Sequence, residues 1–355
     1  MFKLNIVSRS RWKKNQTRDH RKLWLDKNEN TDFYLSNIFR SILKKIQPYS
    51  IFGYPDLNFI YEKLSLIFKI QKKNLLICNG SDGGIRSTFD CFVKKSDKVL
   101  IPSPTFAMYD VYAKLFKTNL ISFKYSLKDG KLIFNIDNFL KIIKKRKPRL
   151  ICLANPDSPS GTVLKKNEVI KIIKAAKKNN SIVLIDEAYY PFCNITLKNE
   201  INKYTNLIIV RSLSKAWALA GLRIGFILSS KKIINYMTSS KPMYEIGSLQ
   251  SYVLAKLIDK KYYLDVKKSV KNLIESKNKF INLLNKQNNI EYINTHSNFI
   301  HVKLGKNRKK IINEIKKFAY IRDNQSKILK NYSRITITRF EFLKKIFDII
   351  KKNYE

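Results

Sequence analysis

Lys215 stands where a lysine can do covalent chemistry. It lies in the run Ser212-Leu213-Ser214-Lys215, with Gly221, Arg223 and Gly225 a few residues on. The preceding Asn206-Leu207-Ile208-Ile209-Val210-Arg211 is apolar and β-branched, which predicts a buried strand that ends where the polar residues begin. In open α/β sheets, ligands and reactive groups collect at such carboxyl ends. A lysine whose charge is disfavoured by burial and neighbouring cations can form a Schiff base, and pyridoxal phosphate is held in that way. Ser212, Ser214 and Arg223 would then serve its phosphate, the arginine through a fork that matches phosphate geometry. The same residues also suit an ordinary surface loop, so the rest of the chain has to decide.

Other short segments could complete such a site. Gly80-Ser81-Asp82-Gly83-Gly84 follows the apolar Leu75–Cys78 and opens a helix, and the N–H groups of that turn suit an anion. Asp186-Glu187-Ala188-Tyr189 ends another apolar run. A buried carboxylate there could keep a ring nitrogen protonated and make the ring an electron sink, although an acidic cap on a turn is the plainer reading. Phe106 suits stacking on a flat ring, or else the core. Asn155-Pro156-Asp157-Ser158-Pro159-Ser160-Gly161-Thr162 is a rigid turn with polar side chains, and Tyr54-Pro55-Asp56 carries a phenol. Arg334 heads a late apolar run, with Arg322 upstream of it.

The elements that must position these residues alternate. Apolar runs at Leu75–Cys78, Lys98–Ile101, Leu120–Phe123, Leu150–Leu153, Ile182–Ile185, Leu207–Val210 and Ile224–Leu228 read as strands. Helical spacing falls between several of them, at Gly84–Val93, Phe106–Phe116, Ile136–Lys145 and Asn167–Lys178. This predicts an α/β layer with a mostly parallel sheet. After Pro242 the expected order is one long helical stretch from Ser248 to about Gln287, then strands near Asn298–Val302 and Arg334–Thr338 separated and followed by helices. That grouping is α+β. The expected division is an N-terminal arm over 1–44, a large domain over 45–242 and a small domain over 243–355, with the segment before about Lys44 packing on the small domain.

Composition narrows the class. A chain of 355 residues with 44% hydrophobic and 12% aromatic residues folds around a sizeable core and is not a disordered chain. Its 70 Lys+Arg against 27 Asp+Glu give a net charge of +43, which by itself suits nucleic acid or an anionic membrane. The basic runs Lys141–Arg149 and Lys171–Lys178 instead have the spacing of solvated helix faces, and Lys, Asn and Ile are heavily used throughout. There is no zinc-finger spacing and no RNP-like motif, so neither nucleic acid nor membrane is an expected partner. Cys78, Cys91, Cys152 and Cys193 are scattered and suggest neither disulfide nor metal. A cytoplasmic location is the default expectation, although the first 18 residues lack acidic groups, as organellar transit peptides do.

Together and in this order, the segments resemble the class I/II aminotransferases of pyridoxal-phosphate fold type I, in particular their histidinol-phosphate branch. The resemblance runs from about Leu25 to Phe340 and includes Leu25-Asp26-Lys27-Asn28-Glu29-Asn30, which is similar to the family's N-terminal Asn-Glu-Asn segment. It implies a large domain with a seven-stranded sheet, and a smaller α+β domain. Lys215 would be the Schiff-base lysine and proton carrier, Asp186 the partner of the ring nitrogen, and Tyr189 the donor to the phenolic oxygen. Ser81, Asp82, Gly83, Ser212, Ser214 and Arg223 would surround the phosphate, and Phe106 would stack on the ring. Tyr54 would reach into the partner subunit of a homodimer. Arg334, Arg322 and Asn30 would meet an anionic amino substrate, the second substrate being a 2-oxo acid.

The chain also departs from the family pattern. Ser158 stands where the family has Asn, so Asn155 or a water has to help at the phenolic oxygen. Thr338 replaces a glycine after the Arg334 strand, and Lys241-Pro242-Met243-Tyr244-Glu245 differs from the usual Pro-Tyr-Asn segment. Two alternatives accompany the transaminase expectation: a decarboxylase of a phosphorylated amino acid on the same fold, and a basic nucleic-acid- or membrane-binding protein that keeps an enzyme fold.

Overall fold

The computed structural model describes residues 18–128, 131–241, 243–287, 289–324 and 326–354. The basic N-terminal stretch before residue 18 and the boundary residue Pro242 lie outside them. In chain order the first strands are β1 (Leu23–Trp24), β2 (Leu75–Asn79), β3 (Lys98–Ser103), β4 (Asn119–Lys124), β5 (Ser126–Lys128) and β6 (Lys131–Ile133). The central strands are β7 (Leu150–Ala154), β8 (Ile182–Asp186), β9 (Leu207–Ser212) and β10 (Ile224–Ser229). The last are β11 (Tyr292–Ile293), β12 (Phe299–Lys303), β13 (Ala319–Tyr320), β14 (Arg322–Asp323) and β15 (Tyr332–Thr336).

Seven strands form the large sheet in the order β2-β10-β9-β8-β7-β3-β4, parallel except for β10, which runs antiparallel to both β2 and β9. Strands covered on both faces read as unbroken apolar runs, which is why β7, β8 and β9 were legible. Alternate residues serve the two faces. Ile151, Leu153, Val183, Ile185 and Ile209 enter one apolar cluster, and Leu150, Cys152, Leu184, Ile208 and Val210 the other. Each such fully buried side chain contributes roughly 1.5–3 kcal/mol.

A second core lies under the small sheet β11-β12-β15-β14, where Ile300, Val302 and Ile335 meet Phe280, Leu284, Ile311 and Ile346. The arm joins it through β1, which pairs parallel with β13, and through Leu25. Farther along, the helix Phe33–Leu43 buries Leu35 in the large-sheet cluster instead, so the arm bridges the two cores rather than packing on one.

The expected single helix after Ser248 is two, Ser248–Leu257 and Lys260–Asn285. The break falls at Asp259, whose carboxylate accepts from the Tyr262 amide at 2.6 Å and caps the second helix. The second helix spans both cores, with Tyr262, Val266 and Val270 in the large-sheet cluster and Leu273, Phe280 and Leu284 in the small one. Val253 and Leu254 also pack with the large sheet, so the apolar packing divides within this helix rather than at residue 242. Among the described residues no helix is long and apolar enough to cross a membrane.

Candidate active site

The carboxyl ends of β2, β8 and β9 lie at the same end of the large sheet, with β10 between β2 and β9. Because β10 is antiparallel, its first residues join them: Ile224 pairs with Asn79, and Gly225 with both Cys78 and Ser212. Arg223 thereby comes to the end of β2 from far along the chain. It adopts φ 53°, and its Nη1 donates to the Ser214 hydroxyl at 3.3 Å, while the Ser212 hydroxyl accepts from the Ser214 amide at 3.0 Å. The turn after β2 is tight against this group. Gly80 has φ 67°, and a Cβ there would sit 2.6 Å from the Arg223 guanidinium; a Cβ at Gly225 would strike the Gly80–Ser81 backbone. Only glycine permits that approach. Gly83 and Ser81 continue the turn into the helix Gly80–Phe92, and Asp82 accepts from the Tyr112 hydroxyl at 3.0 Å.

Lys215 is half-buried, with its Nζ donating to the Lys27 carbonyl at 2.7 Å and lying 6.0 Å from the centre of the Tyr189 ring. Burial, reinforced by Arg334 and Arg223, lowers its amine to about 8. Asp186 is buried at the end of β8, where its carboxylate accepts from the Ala188 amide at 2.8 Å and from Tyr109 at 3.4 Å. Burial raises it to about 7, and among the described residues no cation pairs with it. The neighbouring Glu187 behaves differently, forming a buried ion pair with Arg211 at 2.7 Å that anchors the same turn. Phe106 packs edge-on to Tyr109, with ring centres 5.7 Å apart.

The opposite wall comes from the small sheet and the arm. Arg334 donates to the Asp26 carbonyl at 2.8 Å and reaches the Ser158 hydroxyl at 3.5 Å, and among the described residues its buried Nε has no hydrogen-bond partner. Tyr189 accepts from the Asn28 amide at 2.7 Å. Burial raises the Tyr189 phenol, opposed by Arg334, Ser158 and Asn28, which are thus its polar surroundings. Arg322 pairs directly with Arg334 across β14 and β15, exposed at the sheet edge.

Two expected residues are occupied elsewhere, and a third, Tyr54, lies outside this chain's own site. Both ends of the Asn155 amide are taken by the Leu164 backbone, at 3.1 and 2.8 Å, so it braces the turn and leaves Ser158 facing Tyr189 and Arg334. Asn30 donates to the Ala216 carbonyl and Ser269 and accepts from the Asp32 amide, which uses its polar atoms within the scaffold. Tyr54 lies on the surface, 83% exposed, stacked on Tyr244 with ring centres 4.4 Å apart.

Asn28, in contrast, was not singled out by its sequence. It adopts φ 59°, a left-handed conformation that asparagine tolerates, and this bend turns its side chain to Tyr189. Its place within Asn28-Glu29-Asn30 was the available signal, but spacing alone could not say which asparagine faces inward. Asp157 was likewise passed over. It is buried, accepts from Thr105 and Ser160 at 2.5 Å each, and is raised by burial to about 6.

Comparison with known proteins identifies the family and the fold. A model of the family "Aminotransferase class I and II" matches residues 20–346. The histidinol-phosphate aminotransferase of Caldanaerobacter subterraneus subsp. tengcongensis is 33% identical over 279 residues, which is 78% of this chain and 77% of that protein. Among solved structures, histidinol-phosphate aminotransferase from Sinorhizobium meliloti in complex with pyridoxal-5'-phosphate is similar with TM-score 0.78 at 18% identity, covering 93% of this chain and 91% of that one. L-threonine-O-3-phosphate decarboxylase from Porphyromonas gingivalis is similar with TM-score 0.74 at 19% identity, covering 93% and 98%. At such identities the structural likeness establishes the fold, pyridoxal-phosphate transferase fold type I, while the family match goes further. This chain belongs to the class I and II aminotransferases.

Proposed function

We propose that this aminotransferase uses pyridoxal 5'-phosphate to move an amino group between an anionic amino compound and a 2-oxo acid such as 2-oxoglutarate. The carrying observation is a pair of mismatched charges in one site: Asp186, buried without a cation, and Lys215, whose amine is lowered to about 8. Opposed shifts of this kind mark functional sites. The residues fit the cofactor. Asp186 lacks the cation that a protonated ring nitrogen would provide, and the glycine-lined turn at Gly80 with Ser81, Ser212, Ser214 and Arg223 suits a phosphate.

When bound, pyridoxal 5'-phosphate supplies the aldehyde that takes up the amino group and the ring that draws electrons from the substrate's α-carbon. The chain's own residues do the rest. Lys215 Nζ, whose proton is held less tightly than an ordinary lysine's, accepts the α-proton and returns it. Asp186 would accept from the protonated ring nitrogen, Tyr189 would donate to the phenolic oxygen with Asn28 fixing its hydroxyl, and Phe106 would cover the ring. Arg334 clamps the substrate carboxylate, and its unpartnered Nε marks the direction of that clamp. Arg322, next to it on the sheet edge, takes a second anion.

The donor is a phosphate monoester such as histidinol phosphate. Support comes from the paired arginines and from relatives above 30% identity that carry that name. The active form is a homodimer, supported by the exposed apolar surface of Tyr49, Ile51, Phe52, Tyr54 and Met243, through which Tyr54 enters the partner's site.

The test reconstitutes the protein with pyridoxal phosphate and screens amino donors for bleaching of the visible band. Histidinol phosphate is expected to bleach it, with recovery on adding 2-oxoglutarate. Lys215→Ala is expected to lack both the band and turnover, and an active Lys215→Ala enzyme would sink the assignment. Release of carbon dioxide without any need for a 2-oxo acid would transfer the reading to a decarboxylase.

A further inference from the structure

A fully buried histidine outside the cofactor motifs links the small sheet to the turn that bears Ser158. His301 lies on β12 directly opposite Arg334 on β15, so the two share one face of the sheet. Its Nδ1 is 3.1 Å from the Asn324 side-chain nitrogen, which also donates to the Tyr332 carbonyl at 2.8 Å. An amide nitrogen donates, so Nδ1 is the acceptor and Nε2 carries the hydrogen. That hydrogen goes to the Pro159 carbonyl at 2.6 Å. Burial, with Arg334 and Lys277 nearby, lowers the ring to about 4 and keeps it neutral at working pH.

The same turn is gripped at a second point. The His296 amide donates to the Gly161 carbonyl at 3.0 Å, and a Cβ at Gly161 would collide with Thr295. Buried Lys277 in turn donates to the carbonyls of Thr295 and Ser297 and holds that loop. The small sheet therefore fixes the turn immediately after Ser158, whose hydroxyl reaches Arg334 at 3.5 Å.

We propose that His301 is a positioning residue of the transamination site: by donating from Nε2 to the Pro159 carbonyl, it holds Ser158 against Arg334 and thereby sets the clamp for the substrate carboxylate. This rests on the aminotransferase reading above. Serine is short for this place, so its hydroxyl meets the arginine only if the turn is pressed toward the small sheet, and the histidine does the pressing.

The test uses pyridoxal-phosphate-loaded wild type, His301→Leu, Ser158→Ala and the double variant. Steady-state kinetics with 2-oxoglutarate are read beside calorimetric binding of succinate, an unreactive dicarboxylate, and the visible band reports cofactor loading. His301→Leu is expected to load normally and to raise KM and the succinate Kd about tenfold, because a buried carbonyl loses its donor. Its kcat is expected to change less than about threefold. The double variant is expected to bind succinate as Ser158→Ala does, within about twofold, since both changes break one chain of contacts. Effects that multiply, a His301→Leu that binds as wild type, or an unimpaired Ser158→Ala beside an impaired His301→Leu would each overturn the proposal. If His301→Leu does not fold, His301→Gln and His301→Met decide together: the Gln amide can still donate to Pro159 and is expected to keep wild-type succinate binding while Met, which cannot donate, loses about tenfold, and a tenfold loss in the first or wild-type binding in the second overturns the proposal. Failure of the underlying reading looks different, as wild type that forms no visible band and turns nothing over.

Discussion

The wall of the site formed by the large sheet takes its groups from strand ends and the turns just beyond them: Asp186 ends β8, Ser212 ends β9, and Gly80 follows β2. The wall formed by the small sheet and arm is assembled differently. Asn28 meets Thr336 across 308 positions of sequence, and Arg334 meets Ser158 across 176. One wall is carried by local motifs whose geometry a parallel sheet reproduces wherever it occurs. The other exists only where two cores are brought together by the arm and the helix Lys260–Asn285. On the proposed reading, the first wall carries most of the cofactor chemistry and the second most of the substrate choice.

Replacing groups wall by wall would break or sharpen this contrast. The largest effect is expected at Asp186. Asp186→Asn removes the charge opposite the ring nitrogen, and kcat is expected to fall about a hundredfold or more while KM for the oxo acid moves little. The same change has a stability signature in the cofactor-free protein. A carboxyl raised from 3.8 to about 7 adds stability below its unfolded pKa and loses it as pH rises through the folded one. Cofactor-free wild type is therefore expected to weaken between about pH 4 and pH 7, by up to about 4 kcal/mol, whereas Asp186→Asn lacks this decline. Denaturant melts across that range decide the point, and a flat wild-type profile would count against the buried, unpaired carboxylate.

Next in size is the opposite wall. Arg334→Lys keeps the charge but not the fork, and is expected to raise KM for 2-oxoglutarate about tenfold or more with kcat less affected. A fall in kcat alone would erase the distinction between the walls. Asn28→Ala removes one hydrogen bond to Tyr189 and is expected to cost about 1 kcal/mol, read as a several-fold loss of kcat/KM. Smallest is Arg322→Ala, exposed at the sheet edge. It is expected to weaken only the phosphorylated donor, leaving 2-oxoglutarate kinetics unchanged.

How much of this was legible follows the same line. Every strand of the large sheet could be read from apolar runs bounded by polar residues, because, except at the largely exposed edge strand β4, burial on both faces leaves no room for polar alternation. The break at Asp259 was not legible, because its capping hydrogen bond competes with a helical pattern that continues through it. At the site, Lys215, Asp186 and Arg223 were read from types and spacing. Asn155 and Asn30 were expected at the site from the family resemblance, yet their amides brace backbone at Leu164 and Ala216. An asparagine serves a ligand or a loop equally well, and only its neighbours in space choose between them.

By itself, the sequence determined the sheet and the family and nominated residues for the chemistry, since all of these rest on local patterns of burial and on motifs a few residues long. The tertiary structure alone decided which asparagine faces Tyr189, what holds Ser158 against Arg334 and where the two cores divide. Those depend on contacts between segments far apart in the chain, where register, backbone bends and competing hydrogen-bond partners set the direction of each side chain.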